Sequence, residues 1–113
     1  MTYDAFDVVV VPFPFTDRNA TKRRPALVLS QKTTFGAIIE HSVLAMITSA
    51  ANAPWPLDVP ITDGASAGLT AASVVRMKLF TLDHRLIIRK NGVLSASDRL
   101  AVGTALRKLL ILP

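Results

Sequence analysis

The chain has 113 residues, a formal net charge of +5, half of its residues hydrophobic and no cysteine. That length fits a single domain over residues 1–113 with a small core, which gains from oligomerisation. Disulfide and thiolate chemistry are excluded, and the expected compartment is the cytoplasm. The start MTYDAFD has no basic segment ahead of an apolar one, so no signal peptide is expected. No uncharged apolar run reaches the roughly 18 residues of a membrane span.

The pI of about 10.3 meets the criterion for a basic, nucleic-acid-binding domain. The distribution of charge says more than its sum. Between Lys32 and Arg76 there is no lysine or arginine, and the cations gather in Arg18–Arg24, in Arg76–Lys90 and towards the C-terminus. A charge run is usually only a solvated face. The first cluster is harder to dismiss, because Arg18, Lys22, Arg23 and Arg24 have only Asp17 beside them.

In chain order, residues 7–13 (DVVVVPF) read as a buried β-strand that ends near Pro12 and Pro14 or lies at an edge, since proline cannot donate to a ladder. Phe13 and Phe15 share a side of an extended chain, and core packing is the commoner role for such rings, with base stacking the alternative. Residues 16–24 read as a loop, with Thr16 and Asp17 as turn formers. Pro25 biases Arg24 towards extended backbone and holds it at the start of a second strand, residues 26–30. Residues 31–39 fit a loop with a short helical turn. Residues 42–48 (SVLAMIT) form a third strand, ending at Thr48-Ser49. A connection with two prolines and the only tryptophan, Trp55, leads to a short strand over 57–61 and a small-residue turn over 62–68.

Residues 73–82 are again β-type, interrupted by Arg76 and Lys78. Asn91-Gly92 is a strong turn signal. Ser95 and Asp98 make a capping-box-like start for a helix to about Leu110. Its expected apolar stripe is Leu100, Leu106, Leu109 and Leu110, with Arg99, Arg107 and Lys108 on the wet side. The whole is mainly β (α+β): about five or six short strands in a small, bent, partly open barrel with one C-terminal helix.

No glycine-rich phosphate loop, nucleophile elbow or pair of catalytic carboxylates is evident. His41 and His84 have no ligand spacing around them and read as surface or turn residues, so neither a metal nor a cofactor is expected. Cations and hydroxyls at strand ends remain: Arg24, Thr48, Ser49, Arg76 and Lys78. That set suits RNA cleavage by the RNA's own 2′-hydroxyl, which needs donors for a charged phosphorane and no protein nucleophile. Arginine binds phosphate oxygens with a fork of donors, and its high pKa makes charge stabilisation its role. Hydroxyls at strand ends more often cap loops.

The run DVVVVPFPFTD…KRRPALVLS, the strand ending AMITS, the segment SVVRMKLFTLD and the stretch LIIRKNGVLSASD together resemble the PemK/MazF family of toxins from bacterial type II toxin–antitoxin systems. The resemblance covers nearly the whole chain in the family's order. It implies an SH3-like or CcdB-like barrel with a C-terminal helix, a homodimer with groove-borne sites, and a cognate antitoxin that covers the groove. It also implies a metal-independent endoribonuclease acting on single-stranded RNA and leaving a 2′,3′-cyclic phosphate. The catalytic positions carried over are Arg24, Thr48 with Ser49 beside it, and Arg76. Thr16, Asp17, Arg18, Lys22, Arg23 and Lys78 are the expected RNA-binding set.

Two departures stand out. Phe6 occupies a position where the family often has glycine. Lys78 occupies a position where some relatives carry an acid assigned as general base, which leaves the base open between Asp17 and a water. The same fold also serves toxins that poison DNA gyrase, through C-terminal aromatic residues, whereas this chain ends Leu109-Leu110-Ile111-Leu112-Pro113. An inactive relative is the third reading.

Overall fold

The apolar run Val8–Val11 is buried throughout, and because successive side chains of a strand point to opposite faces, it must be covered on both sides. The computed structural model describes residues 2–13 and 22–113. Its strands are β1 (Asp7–Phe13), β2 (Lys22–Val28), β3 (His41–Ser49), β4 (Val59–Pro60), β5 (Ser73–Asp83) and β6 (Arg89–Val93). They form one antiparallel sheet in the order β4-β5-β3-β2-β1-β6. A π-type turn (Lys32–Gly36) running into α1 (Ala37–Ile39), a short α2 (Gly64–Ala67), a 3-10 turn (His84–Leu86) and α3 (Ala96–Leu110) complete the described chain. This is the curled, partly open barrel with a C-terminal helix that the sequence implied.

The sheet separates two cores. On one face Val8, Leu27, Ala45, Ile47 and Val75 pack with Val102 and Ala105 of α3. On the other, Val9, Val11, Ala26, Val28, Leu44 and Leu82 pack with Tyr3 and Ile87. The second face carries its apolar cover at one end, and the site lies beyond that cover.

Several elements differ from expectation. β1 runs through Pro12 to Phe13; β6 pairs with it only over Asp7–Val10, so Pro12 lies where one side of the strand has no described ladder partner. β2 starts at Lys22, which puts Lys22, Arg23 and Arg24 in a strand opposite Phe13, Pro12 and Val11 rather than in a loop. Thr16, Asp17, Arg18 and Phe15 lie outside the described residues. The strand expected over 57–61 shrinks to Val59–Pro60. His84 is buried, donating to or accepting from Ser42 Oγ at 2.8 Å, with its ring edge-on to Tyr3.

Asn91-Gly92 is no turn. Val8 opposes Gly92 and Val9 opposes Lys90, so Asn91 is the extra residue of a β-bulge inside β6. Glycine is required there by proximity: a Cβ on Gly92 would lie 2.4 Å from Ser66 O and 2.5 Å from Ala67 C. The Asn91 amide in turn donates to Gly68 O at 2.7 Å, fixing α2 against the bulge.

The helix stripe also differs. α3 buries Asp98, Val102 and Ala105 and packs Leu106 against the same core, as expected of that leucine, whereas Leu100 is 73% exposed and Leu110 49%. Asp98 tolerates burial because Thr62 N–H, Thr62 Oγ–H and Asp63 N–H all donate to its carboxylate, the Thr62 hydroxyl at 2.7 Å. Burial alone would raise its pKa; these hydrogen bonds more than offset that and lower it. Arg99 is not simply solvated: its Nε donates to Leu94 O at 2.9 Å and its guanidinium lies 5.3 Å from the Phe6 ring centre.

Phe6 itself has φ 72°, in the left-handed region, which explains why glycine suits this position. Its backbone is held there by N–H donation to Val28 O and by acceptance from Leu94 N–H.

Gly92→Ala is expected to cost about 1–3 kcal/mol of stability through overpacking. Gly103→Ala, whose Cβ would meet only the mobile end of Arg107 at 3.6 Å, should be stabilising by up to about 1 kcal/mol. Urea unfolding of the two variants checks the contrast.

Candidate active site

Arg24 and Thr48 meet because of strand register and one proline. Ala26 opposes Met46 across the β2–β3 seam; continuing the register two residues brings Arg24 opposite Thr48. The described ladder nevertheless stops at Ala26. Leu29 donates its N–H to Val43 O across this seam, and by two-residue alternation the amide of residue 25 would face β3 as well. Pro25 has no amide hydrogen, so the seam opens there.

Alternation also decides which side chains line the opening. Phe13 continues the Val9, Val11 face of β1, Arg24 the Val28, Ala26 face of β2, and Thr48 the Leu44, Met46 face of β3. Arg76 opposes Met46 and joins them. The register then slips: Ala45 opposes Leu79, so Met77 and Lys78 have no partner on β3. This bulge brings Lys78 to the rim. The result is an open groove of about 200 Å³ lined by Phe13, Arg24, Met46, Ile47, Thr48, Trp55, Arg76 and Lys78.

Within it the Arg24 guanidinium stacks 4.9 Å from the Phe13 ring centre. Phe13 is therefore a wall of the groove and not part of either core. Among the described residues, no carboxylate lies within ion-pair distance of Arg24. The Thr48 hydroxyl accepts from the Asn52 side-chain amide at 2.7 Å, which leaves its own proton to donate.

Arg76 is differently placed. Its Nε donates to Asp58 Oδ1 at 3.2 Å, and its Nη2 to Asp58 Oδ2 at 3.0 Å and to Ala53 O at 2.8 Å. Its guanidinium also lies 4.9 Å from the centre of the Trp55 ring. Asp58 accepts from the Trp55 N–H at 2.9 Å. Hydrogen bonding to Arg76 holds the Asp58 carboxyl below its ordinary pKa.

Ser49 points the other way along β3. Its hydroxyl accepts from Ala51 N–H at 3.2 Å, capping the turn. It lines an adjoining hollow with Arg23, Pro25 and Ser73, a hollow that Arg24 and Thr48 also touch. Lys22 and Arg23 are exposed on the same strand. Sequence reasoning alone assigns no role to Asp58, Asn52 or Trp55. The one available signal was a lone tryptophan between two prolines, just ahead of an aspartate and just after Thr48-Ser49.

A family profile, the PemK-like, MazF-like toxin of type II toxin–antitoxin systems, matches residues 4–110. The chain belongs to this toxin family. Solved structures share its backbone. A MazE–MazF complex from Deinococcus radiodurans superposes with a TM-score of 0.77 at 23% identity, covering 100% of this chain and 99% of that one. The Mycobacterium tuberculosis toxin MazF-mt6 gives 0.74 at 23% identity, over 95% and 98% of the two chains. An endoribonuclease from a mycobacterial species gives 0.76 at 16%, over 100% and 95%. A comparison with curated proteins gave no match. The fold of this toxin is thus that of the MazF structures, and no helix among its described residues is long and apolar enough to cross a membrane.

Removing Asp58 tests the clamp. Asp58→Ala in the toxin should shift the emission of Trp55, the single tryptophan, and cost about 1–3 kcal/mol. A carboxylate with a depressed folded pKa stabilises fully above its unfolded value and loses that contribution as pH falls through the folded one. Wild-type emission should therefore hold steady from pH 7 to about 4, the ordinary carboxylate range, and shift only below. Asp58→Ala should show the shifted emission at every pH.

Proposed function

We propose that this toxin is an endoribonuclease that cleaves single-stranded RNA by transesterification. The 2′-oxygen attacks the adjacent phosphorus, the bond to the 5′-oxygen breaks, and the products are a 2′,3′-cyclic phosphate and a 5′-hydroxyl. The 2′-proton leaves to a base and a proton is delivered to the departing 5′-oxygen. The observation that carries this reading is Arg24: a guanidinium fixed over Phe13, beside a hydroxyl with a proton to donate, and unneutralised by any described carboxylate.

Arg24 supplies preorganised charge for the phosphorane oxygens. Thr48 donates to one of them, held in place by Asn52. Arg76 orders the groove wall through Asp58 and Trp55. Ser49 shapes the turn behind Thr48. Asp58 is a poor base, because Arg76 and the Trp55 amide occupy its lone pairs. The 2′-proton therefore goes to Asp17 or to a water, and no metal is used. Lys22, Arg23 and Lys78, with Arg18, draw the RNA backbone in, and Thr16 and Asp17 complete the RNA-binding set. The partners that fit are a second copy of this chain and a cognate antitoxin whose acidic segment competes for the cationic groove.

The test is cleavage of a long single-stranded RNA in EDTA. Arg24→Ala should slow cleavage about 10²–10³-fold, the typical effect of one such donor. Thr48→Val should slow it less, and the wild-type rate should fall steeply with salt as phosphate contacts are screened. Equal rates for wild type and Arg24→Ala would remove Arg24 from the mechanism. A folded wild type that cuts no RNA would remove the activity.

A further inference from the structure

We infer that Trp55 is a stacking platform for one base of the bound RNA, next to the scissile phosphate; the inference rests on the endoribonuclease reading above. Trp55 is the only tryptophan of the chain and keeps 44% of its surface exposed. An exposed indole is not explained by core packing, and it belongs to neither apolar core. It opens onto the same groove as Arg24 and Thr48.

The ring is also held still. The Asp58 carboxylate accepts from the Trp55 amide and from Arg76, while Asp58 N–H donates back to Trp55 O, so the Trp55–Asp58 turn is stapled to β5. Arg76 then lies against the ring, with Lys78 Nζ 6.0 Å from its centre. A fixed aromatic surface beside cations is what single-stranded nucleic acid uses: bases stack on the ring while the backbone is held electrostatically. The division of charge fits. Arg76 is neutralised by Asp58 and serves the ring, whereas exposed Lys78 is free to meet the next phosphate along the strand. The same groove would also admit an acidic protein segment. The flat, half-exposed indole between cations favours a base, because every base offers a π-face.

Because no other tryptophan contributes, emission reports this ring directly. The probe is a short single-stranded RNA spanning the mapped cut, with a 2′-deoxy residue at the cut nucleotide to prevent turnover. It is prepared also as a series with one abasic position each. Saturable quenching of Trp55 by the parent RNA is expected. One abasic position should restore emission and weaken binding, measured by anisotropy, about 10- to 100-fold. Trp55→Ala should bind the parent about as weakly as that abasic RNA binds wild type and lose the dependence on that base. Trp55→Phe should recover part of it. Binding with unchanged emission, or a base dependence that survives Trp55→Ala, would overturn the inference while leaving the nuclease intact. Emission that responds to an acidic peptide and not to bound RNA would overturn it in favour of a protein contact. A folded toxin that neither binds nor cuts RNA sinks the activity and this inference together.

Discussion

Pro25 has no amide hydrogen, and the amide at its position would face β3 across the seam where Leu29 donates to Val43. A sheet closed at that point would bring Arg24 and Thr48 side by side as ordinary ladder neighbours, with no room between them. The missing donor lets β2 and β3 part at the place where the register would pair these two residues. The same ring biases Arg24 to extended backbone, so its side chain keeps the parity of Ala26 and Val28 and emerges on the second face. One residue therefore both opens the cleft and aims the cation into it. The β5 bulge completes the arrangement from the other side, since Met77 and Lys78 have no partner on β3 and the strand must rise there.

Much of this was legible because it depends on local rules. Val8–Val11 is an unbroken β-branched run, which requires cover on both faces, and both cores exist. Arg24 before Pro25 and Thr48 at the end of β3 follow from backbone preference and alternation. The departures at Asn91-Gly92 and Asp98 have distant causes. Asn91-Gly92 signals a turn by its local chemistry, and what overrides it is the approach of Ser66 and Ala67 to Gly92. Asp98 takes the core-facing place of a leucine because its partner Thr62 lies 36 residues away. The pairing of Arg76 with Asp58, 18 residues earlier, likewise has no local sign in the sequence.

That last difference separates two arginines that look alike in sequence and even in their stacking, each 4.9 Å from an aromatic centre. The Arg76 side chain is 11% exposed and that of Asp58 12%. A largely buried bidentate pair of this kind is not easily broken, since either partner left alone would be a poorly solvated charge. A phosphate approaching Arg76 must displace a carboxylate that is already in place and ionised. A phosphate approaching Arg24 displaces, among the described residues, no carboxylate at all. Of the two guanidiniums, Arg24 is therefore the one open to an incoming anion, and Arg76 acts as the post to which the Trp55–Asp58 turn is tied. The two stacked arginines thus give the groove one cation without a described carboxylate partner and one that is tied down, and Thr48 and Met46 line the same groove.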